Sequence, residues 1–384
     1  MISDSHDDNA PEIELSTVIT DIAAGPFGSN LKVSCFVPDG FPIIDGANLK
    51  GFKVTDNVTK FVTEEKAYSL KRSIAHRGDV ISTISGTLGQ IAYIPNDSKY
   101  EQYLCSQRQF RITFDTTKVY VPYIVFFFHT REGQHKILSF ASQVGVPALS
   151  QPLKNFRKIK IQLPSIETQK RIASVIEILN DKIEINNRIN ENLKQQAKAI
   201  YVDMFIMNAN PAWPLGHLSD LVTVKYGKDH KKLDDGTIPV YGSGGIMRYV
   251  DRPLYDKESI LIPRKGTLNN VMYVNEPFWS VDTMFFTEMK MSNVAKYVYH
   301  YVKSKDLLSL NAGSAVPSMT TDILNAMELL IPDNTTLLKF ESIVAPMYLT
   351  MQDNDRESNK LAEIRDVLLP RLMSGELDVS EIDL

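Results

Sequence analysis

Cysteine is almost missing from this 384-residue chain. Cys35 and Cys105 are too few for a disulfide framework and too far apart for a CxxC metal pair. The seven histidines, at 6, 76, 129, 135, 217, 230 and 300, form no HxxxH or His/Cys cluster, which argues against a metal centre. No apolar run approaches the length of a membrane span. Residues 1–14 are polar and acidic without the apolar core of a signal peptide, so a cytoplasmic setting away from membranes is expected. Basic charge is not in excess either: 42 Lys and Arg face 46 Asp and Glu, for a net charge of −4. That balance excludes coating nucleic acid through bulk charge but leaves local basic faces open. Catalytic motifs are also lacking. There is no Walker A sequence and no Asn-Pro-Pro-aromatic signature of adenine methyltransferases. Gly242-Ser243-Gly244-Gly245 resembles a phosphate-cradling turn, but Met247 replaces the last glycine and no Rossmann unit follows, so it reads as a structural turn.

What the sequence does have is a repeat. Residues 167–205 contain no Pro or Gly, and Ile172, Ile176, Leu179 and Ile183 step by the spacing of a heptad seam. The seam runs on through Asn186 and Asn190 to Leu193. Near the C-terminus Phe340, Val344, Met347 and Met351 step the same way, followed by Asn354, Ser358 and Leu361. Each lies 168 residues after its counterpart, and the polar interruption falls at the same place. Shorter anchors repeat ahead of each helix. Gly86-Thr87-Leu88-Gly89 matches Gly266-Thr267-Leu268-Asn269, Val146-Pro147 matches Val316-Pro317, and Ile161-Gln162-Leu163-Pro164 matches Leu329-Leu330-Ile331-Pro332. The sequence between them has diverged, as expected when two copies read different ligands.

The pattern predicts an α+β chain: two tandem globular modules, each followed by a long helix. The expected divisions are a disordered leader over 1–11, a first module over 12–165 and its helix over 166–206, then a second module over 212–333 and a helix with tail over 334–384. Strands are expected at 79–84, 89–94, 259–263 and 271–274, with one clear helix per module at 120–129 and 294–302. A helix over 167–205 would be about 60 Å long, and its exposed stripe needs a partner. The second copy supplies one, paired as an antiparallel coiled coil with pseudo-two-fold symmetry. Asn186, Asn190, Asn354 and Ser358 either fix the register of that pair or mark a wide, wet stretch of seam.

Basic residues cluster locally. Lys154, Arg157, Lys158 and Lys160 crowd the entry to the first long helix without an acid among them, and Lys225, Lys228, His230, Lys231 and Lys232 gather early in the second module. Arg72 and Arg77 precede the first Gly-Thr-Leu turn; Arg264 and Lys265 precede the second. Such groups neutralise phosphates, although a charge run is also what a solvated surface looks like. Thr87 and Thr267 offer hydroxyls on glycine turns that let backbone approach a ligand closely. The polar residues beside the Val-Pro corners, Gln143 and Ser314 among them, are further candidate DNA contacts.

In Gly86-Thr87-Leu88-Gly89, in Pro152-Leu153-Lys154 running into Ile161-Gln162-Leu163-Pro164, in Gln169-Lys170-Arg171-Ile172 and in the closing 368–376 segment, the chain resembles the specificity subunit of type I restriction–modification systems. The second helix opens with Thr336-Leu337-Leu338-Lys339-Phe340 and lacks the Gln-Lys-Arg-Ile wording. The resemblance implies a DNA-recognition subunit that is not catalytic alone. Each module would read one half of a bipartite target on double-stranded DNA. The helix pair would set the spacer and dock two methyltransferase subunits, with restriction subunits completing the assembly. S-adenosylmethionine, ATP and Mg would sit on those partners and no cofactor on this chain. Base readers would come from variable loops: Ser29, Asn30, Lys32, Gln107 and Arg108 in the first module, and Lys228, His230, Lys231, Ser243 and Arg264 in the second. The competing reading is a non-enzymatic coiled-coil assembly protein whose two modules bind protein or glycan.

Overall fold

Short β-branched runs bounded by Gly, Pro and Asn close into the same small sheet in both halves of the chain. The computed structural model describes residues 10–142, 146–311 and 317–379. Two compact units result: Met1–Glu184 with Glu357–Leu384, and Ile185–Arg356.

In the first unit a four-stranded antiparallel sheet runs Ile19–Ala24, Gln109–Phe114, Val80–Thr83, Ile91–Tyr93. Val80–Thr83 is buried along its whole length, which is why it reads as a continuous run rather than an alternating one. A second sheet runs Phe61–Val62, Phe41–Ile44, Gln102–Cys105, Ile74–His76, its middle pair parallel. The second unit repeats the first sheet as Val222–Tyr226, Met284–Met289, Ser259–Pro263, Met272–Val274. It also repeats the parallel pairing, between Asp235–Gly242 and Trp279–Ser280. In each head the entering strand pairs with the strand just before the long helix, Glu12–Glu14 with Lys160–Gln162 and Leu215–His217 with Glu328–Leu330. Both ends of a head are thereby brought to the root of its helix.

The helix at 120–129 is found as Val121–His129, and its counterpart as Ala295–Lys303. The first head does not have one clear helix, as expected, but two in tandem. Thr130 ends the first and caps Arg131–Leu138 by accepting from the Gly133 N–H (3.1 Å). Residues 1–9 of the expected leader lie outside the described residues. Pro11 is already engaged, its carbonyl accepting from the Leu163 N–H (3.1 Å).

The long helices span Ile166–Val202 and Asn334–Met373. The first stops short of 205 because residues Asp203–Met207 form a wider π-type turn. Their seam residues are the ones that bury. Ile172, Ile176, Phe340 and Val344 are at most 3% exposed, while Leu179, Ile183, Leu193, Met347 and Leu361 are half-buried. In the first unit Leu369 and Leu372 of the last helix share a core with Ile172, Ile176, Phe126 and Phe128. Fully burying each such side chain contributes about 1.5–3 kcal/mol. Within that unit Arg365 Nη1 donates to Asn180 Oδ1 (3.0 Å), and Lys182 meets Glu357 at 3.1 Å. In the second unit Asn190 Nδ2 donates to the Met351 carbonyl (3.2 Å) and to Asp355 Oδ1 (2.8 Å). Asn354 Nδ2 donates in turn to Asn190 Oδ1 (2.8 Å). Partners fall in sequence order on one helix as they rise on the other, so the pairing is antiparallel within each unit. The polar interruption is a set of direct amide bonds rather than a wet gap, and such a set admits one register.

Candidate nucleic-acid interface

The two repeated anchors touch each other, and they do so identically in both heads. Ser85 forms an isolated antiparallel bridge with Ala148, and Lys265 does so with Ser318. Gly86 N–H donates to the Pro147 carbonyl (3.0 Å) and Gly266 N–H to that of Pro317 (3.3 Å). Leu149 N–H reaches the Ile84 carbonyl and Met319 N–H that of Arg264, both at 2.8 Å. Gly86 and Gly266 sit at φ +92° and +86°, where a side chain would be strained. The anchors therefore build one framework turn, and the residues around it are free to differ.

In the first head this turn borders a cleft of about 880 Å³ lined by Lys32, Lys50, Lys60, Thr87, Gln107 and Arg108, among others. Arg108 Nη1 comes to 3.6 Å from the place a Gly86 side chain would begin. Gln107 Nε2 donates to the Leu31 carbonyl (3.4 Å), tying the 28–36 loop to the 106–109 turn. Thr83 Oγ1 donates to the Thr87 carbonyl (2.9 Å) and holds the turn, which leaves the Thr87 side chain exposed. Lys60 is spoken for by Asp45 (2.6 Å), whereas Lys32 and Lys50 are exposed and show no ion pair among the described residues. Ser29 and Asn30 lie exposed in the Gly28–Asn30 turn beside the cleft. On the same loop Phe27 and Val33 are 83% and 81% exposed. Sequence reasoning passed over both. Their signal is an apolar side chain inside a Gly-Ser-Asn turn with no core to join, suited to a thymine methyl or a base face.

In the second head Lys228 N–H donates to the Ser280 carbonyl (2.8 Å), and its own carbonyl accepts from Trp279 Nε1 (2.9 Å). That fixes the 228–232 loop, from which Lys228 and Lys231 project exposed; His230 is half-buried, with an Nδ1 that has no hydrogen-bond partner. Ser243 Oγ lies 2.9 Å from where a Gly266 side chain would start, and the Ser243 carbonyl accepts from Asn270 Nδ2 (2.8 Å). Arg264 stacks on Tyr226 (5.3 Å to the ring centroid) and donates to the Asp282 carbonyl (3.2 Å). Ile84 N–H bonds to the Arg108 carbonyl where Arg264 N–H bonds to that of Thr283. The guanidinium beside the shared turn thus comes from opposite strands in the two heads. Lys265 and Thr267 are exposed at the turn itself.

Other expected contacts lie elsewhere. Arg77 Nη2 is spent on the Ser98 carbonyl (2.5 Å), and Arg72 is exposed near Asp21 and Arg111 rather than at the cleft. Lys154 is exposed on the short helix Pro152–Arg157 but does not line the cleft. The two basic clusters are not free of acid, because strand pairing supplies it from a distance: Glu12 meets Lys160 at 3.5 Å and Glu288 meets Lys225 at 3.6 Å. Gln143 and Ser314 lie outside the described residues. Among those described, no group of His, Cys, Asp or Glu could hold a metal ion, and no helix is long and apolar enough to cross a membrane.

Known proteins share this plan. The chain is 22% identical to the type I restriction enzyme MjaIX specificity subunit of Methanocaldococcus jannaschii, over 84% of this chain and 82% of that one. It is 22% identical to a putative type I specificity subunit of Mycoplasma pneumoniae, over 90% and 92%. The crystal structure of a type I restriction–modification S subunit from M. genitalium matches with a TM-score of 0.63 at 15% identity, over 97% of this chain and 98% of that one. The model of the type I restriction modification DNA specificity domain matches residues 35–195 and again 212–336. By that double match the chain belongs to the family of type I restriction–modification specificity subunits, and it carries the family's DNA specificity domain twice.

Proposed function

We propose that each head reads one half of a bipartite sequence on double-stranded DNA, and that the paired helices fix the spacer between the halves. The chain contributes specificity rather than catalysis. Two methyltransferase subunits would dock on it, with restriction subunits beyond them, and S-adenosylmethionine, ATP and Mg would belong to those partners. The observation that carries this reading is the shared turn: one backbone framework at Gly86 and Gly266, surrounded by different polar side chains in the two heads. A conserved backbone contact beside variable readers is what positioning on phosphate and discriminating by base requires. Lys32, Gln107 and Arg108 are the readers proposed for the first head, and Lys228, Lys231, Ser243 and Arg264 for the second. Arg beside guanine would be the strongest single contact, each good bidentate pair being worth about 1–3 kcal/mol of discrimination.

The test is methylome sequencing of cells that carry the chain with its methyltransferase. Exchanging residues 12–165 for the first module of another family member should change one half of the methylated sequence and leave the other half and the spacer as they were. An unchanged methylated sequence would refute the reading.

A further inference from the structure

The first head covers its own sheet edge. Lys53 pairs in parallel with Tyr93 at the outer edge of Ile91–Tyr93. Tyr93 N–H donates to the Phe52 carbonyl (2.9 Å), and Val54 N–H to that of Tyr93 (2.8 Å). The Phe52 ring packs on Phe126 (4.8 Å) and His129 (4.5 Å), with the Arg365 guanidinium over it (5.4 Å). Lys53 Nζ reaches Asp181 (2.7 Å) and Glu184 (3.3 Å) on the long helix. A basic extended segment thus fills the slot between sheet edge and helices.

The same slot in the second unit is open. Met272–Val274 is the last strand of its sheet, and no described residue pairs with its outer edge. It borders a cavity of about 1090 Å³ enclosed by Ala295–Lys303 and by stretches of both long helices. Across the 168-residue repeat, Leu349 and Gln352 stand where the first unit has Asp181 and Glu184. The facing wall carries Lys194, Lys198 and Lys303, none of which has an ion-pair partner among the described residues. The acids around the cavity are already engaged. Glu258 and Glu341 meet Lys296 (2.6 and 2.7 Å), Glu276 meets Arg356 (3.6 Å) and Asp355 accepts from Asn190 (2.8 Å). The slot that is acidic and filled in one unit is basic and empty in the other.

We propose that this second slot receives an extended acidic segment of the methyltransferase partner, which adds as a strand along Met272–Val274 and sets its carboxylates against Lys194, Lys198 and Lys303. Strand addition supplies main-chain hydrogen bonds at an open edge, and the lysines supply the choice of partner. A DNA duplex is too wide to lie along a strand edge inside such a slot, whereas a single extended chain fits the spacing of about 4.8 Å between strands. The proposal rests on the reading that this chain assembles with a methyltransferase.

The experiment measures association of the full chain with its methyltransferase, using the double variant Lys194→Glu/Lys198→Glu, whose sites are both exposed, and separately Ala345→Trp, which blocks the cavity. Each should weaken association about tenfold or more, leave thermal unfolding unchanged and leave DNA affinity unchanged at saturating methyltransferase. Backbone hydrogen exchange at 272–274 should slow on assembly in the unmodified protein. Full association by both variants, or loss of DNA affinity alone from the lysine variant, overturns the slot while leaving the family reading intact. Failure of the unmodified chain to bind the methyltransferase would overturn the reading beneath it and the slot with it.

Discussion

In the first unit Gln169 roots the long helix under its head, and 168 residues later the same helical position is Leu337. Both are fully buried. Gln169 Nε2 donates to the carbonyls of Lys118 and Pro164, both at 2.9 Å, and its Oε1 accepts from the Tyr120 N–H (2.8 Å). Leu337 packs instead among Phe340, Tyr297 and Leu218 in the second core. The second head makes up its polar fastening elsewhere. Lys296, 3% exposed, bridges Glu258 of the head and Glu341 of the long helix between the rings of Tyr273 and Tyr348. The first head's ionic tie, Lys53 to Asp181 and Glu184, is half in water. Duplicated frameworks need not keep the same fastenings. What persists is the job of holding head to helix, done by an amide network in one copy and a desolvated ion cluster in the other.

The sharpest way to break this contrast is to remove the two lysines in turn. Lys296→Met should cost the second unit about 3–5 kcal/mol, because two carboxylates are left with no cation inside the protein. Lys53→Met should cost at most about 1 kcal/mol, the usual worth of an exposed pair. Trp213 and Trp279 are the only tryptophans and both belong to the second unit, so urea unfolding followed by tryptophan emission reads that unit selectively. Equal effects of the two changes would contradict the contrast.

Gln169→Leu should cost about 2–3 kcal/mol in the first unit, since a backbone donor and two carbonyls lose their partner even though the new side chain matches Leu337 in kind. Hydrogen exchange at the root of the helix, near Tyr120, should report it. Exchange at 334–340 should not change.

A smaller effect belongs to His300. Burial first, and then the nearby Lys198 charge, hold it down to about 4, and its Nε2 lies 3.0 Å from the Tyr348 hydroxyl. The folded state resists a proton that the unfolded chain accepts below about 6.5. The stability contributed by the neutral ring is therefore complete above that pH and is lost as the pH falls toward 4. Between pH 7 and 5 the loss should be on the order of 2 kcal/mol. His300→Gln should flatten this slope in tryptophan-monitored urea titrations, and an unchanged slope would assign it to other groups.

Smallest of all, Lys231→Ala should lower the salt dependence of DNA binding by about one counterion, without changing which sequence is bound. Arg264→Ala should instead relax discrimination in one half-site by about 1–3 kcal/mol. A reversal of those two outcomes would exchange their roles.

Features with a period or a repeat were legible in the sequence. The heptad seam, the mid-seam asparagines and the Gly-Thr-Leu and Val-Pro anchors recur at matched spacing, and burial and backbone bonding follow them closely. Features that depend on tertiary partners far away in sequence were not. Nothing in Ala295–Lys303 marks Lys296 as buried, because Glu258 and Glu341 lie 38 and 45 residues away. Glu12 and Glu288 escape a search for acids near the basic clusters for the same reason. Gln169 was visible as a motif letter, but its three backbone bonds were not. The cover that Phe52 and Lys53 give the sheet edge comes from an irregular loop, which carries no periodicity to detect.

The first unit is discontinuous: it closes around Leu369 and Leu372, drawn from nearly the last segment to be made. During synthesis the second head can finish packing while the first, translated earlier, still waits for its final pieces to leave the ribosome. A premature stop in the last forty codons would therefore damage the head encoded at the opposite end of the gene, and spare much of the one beside it.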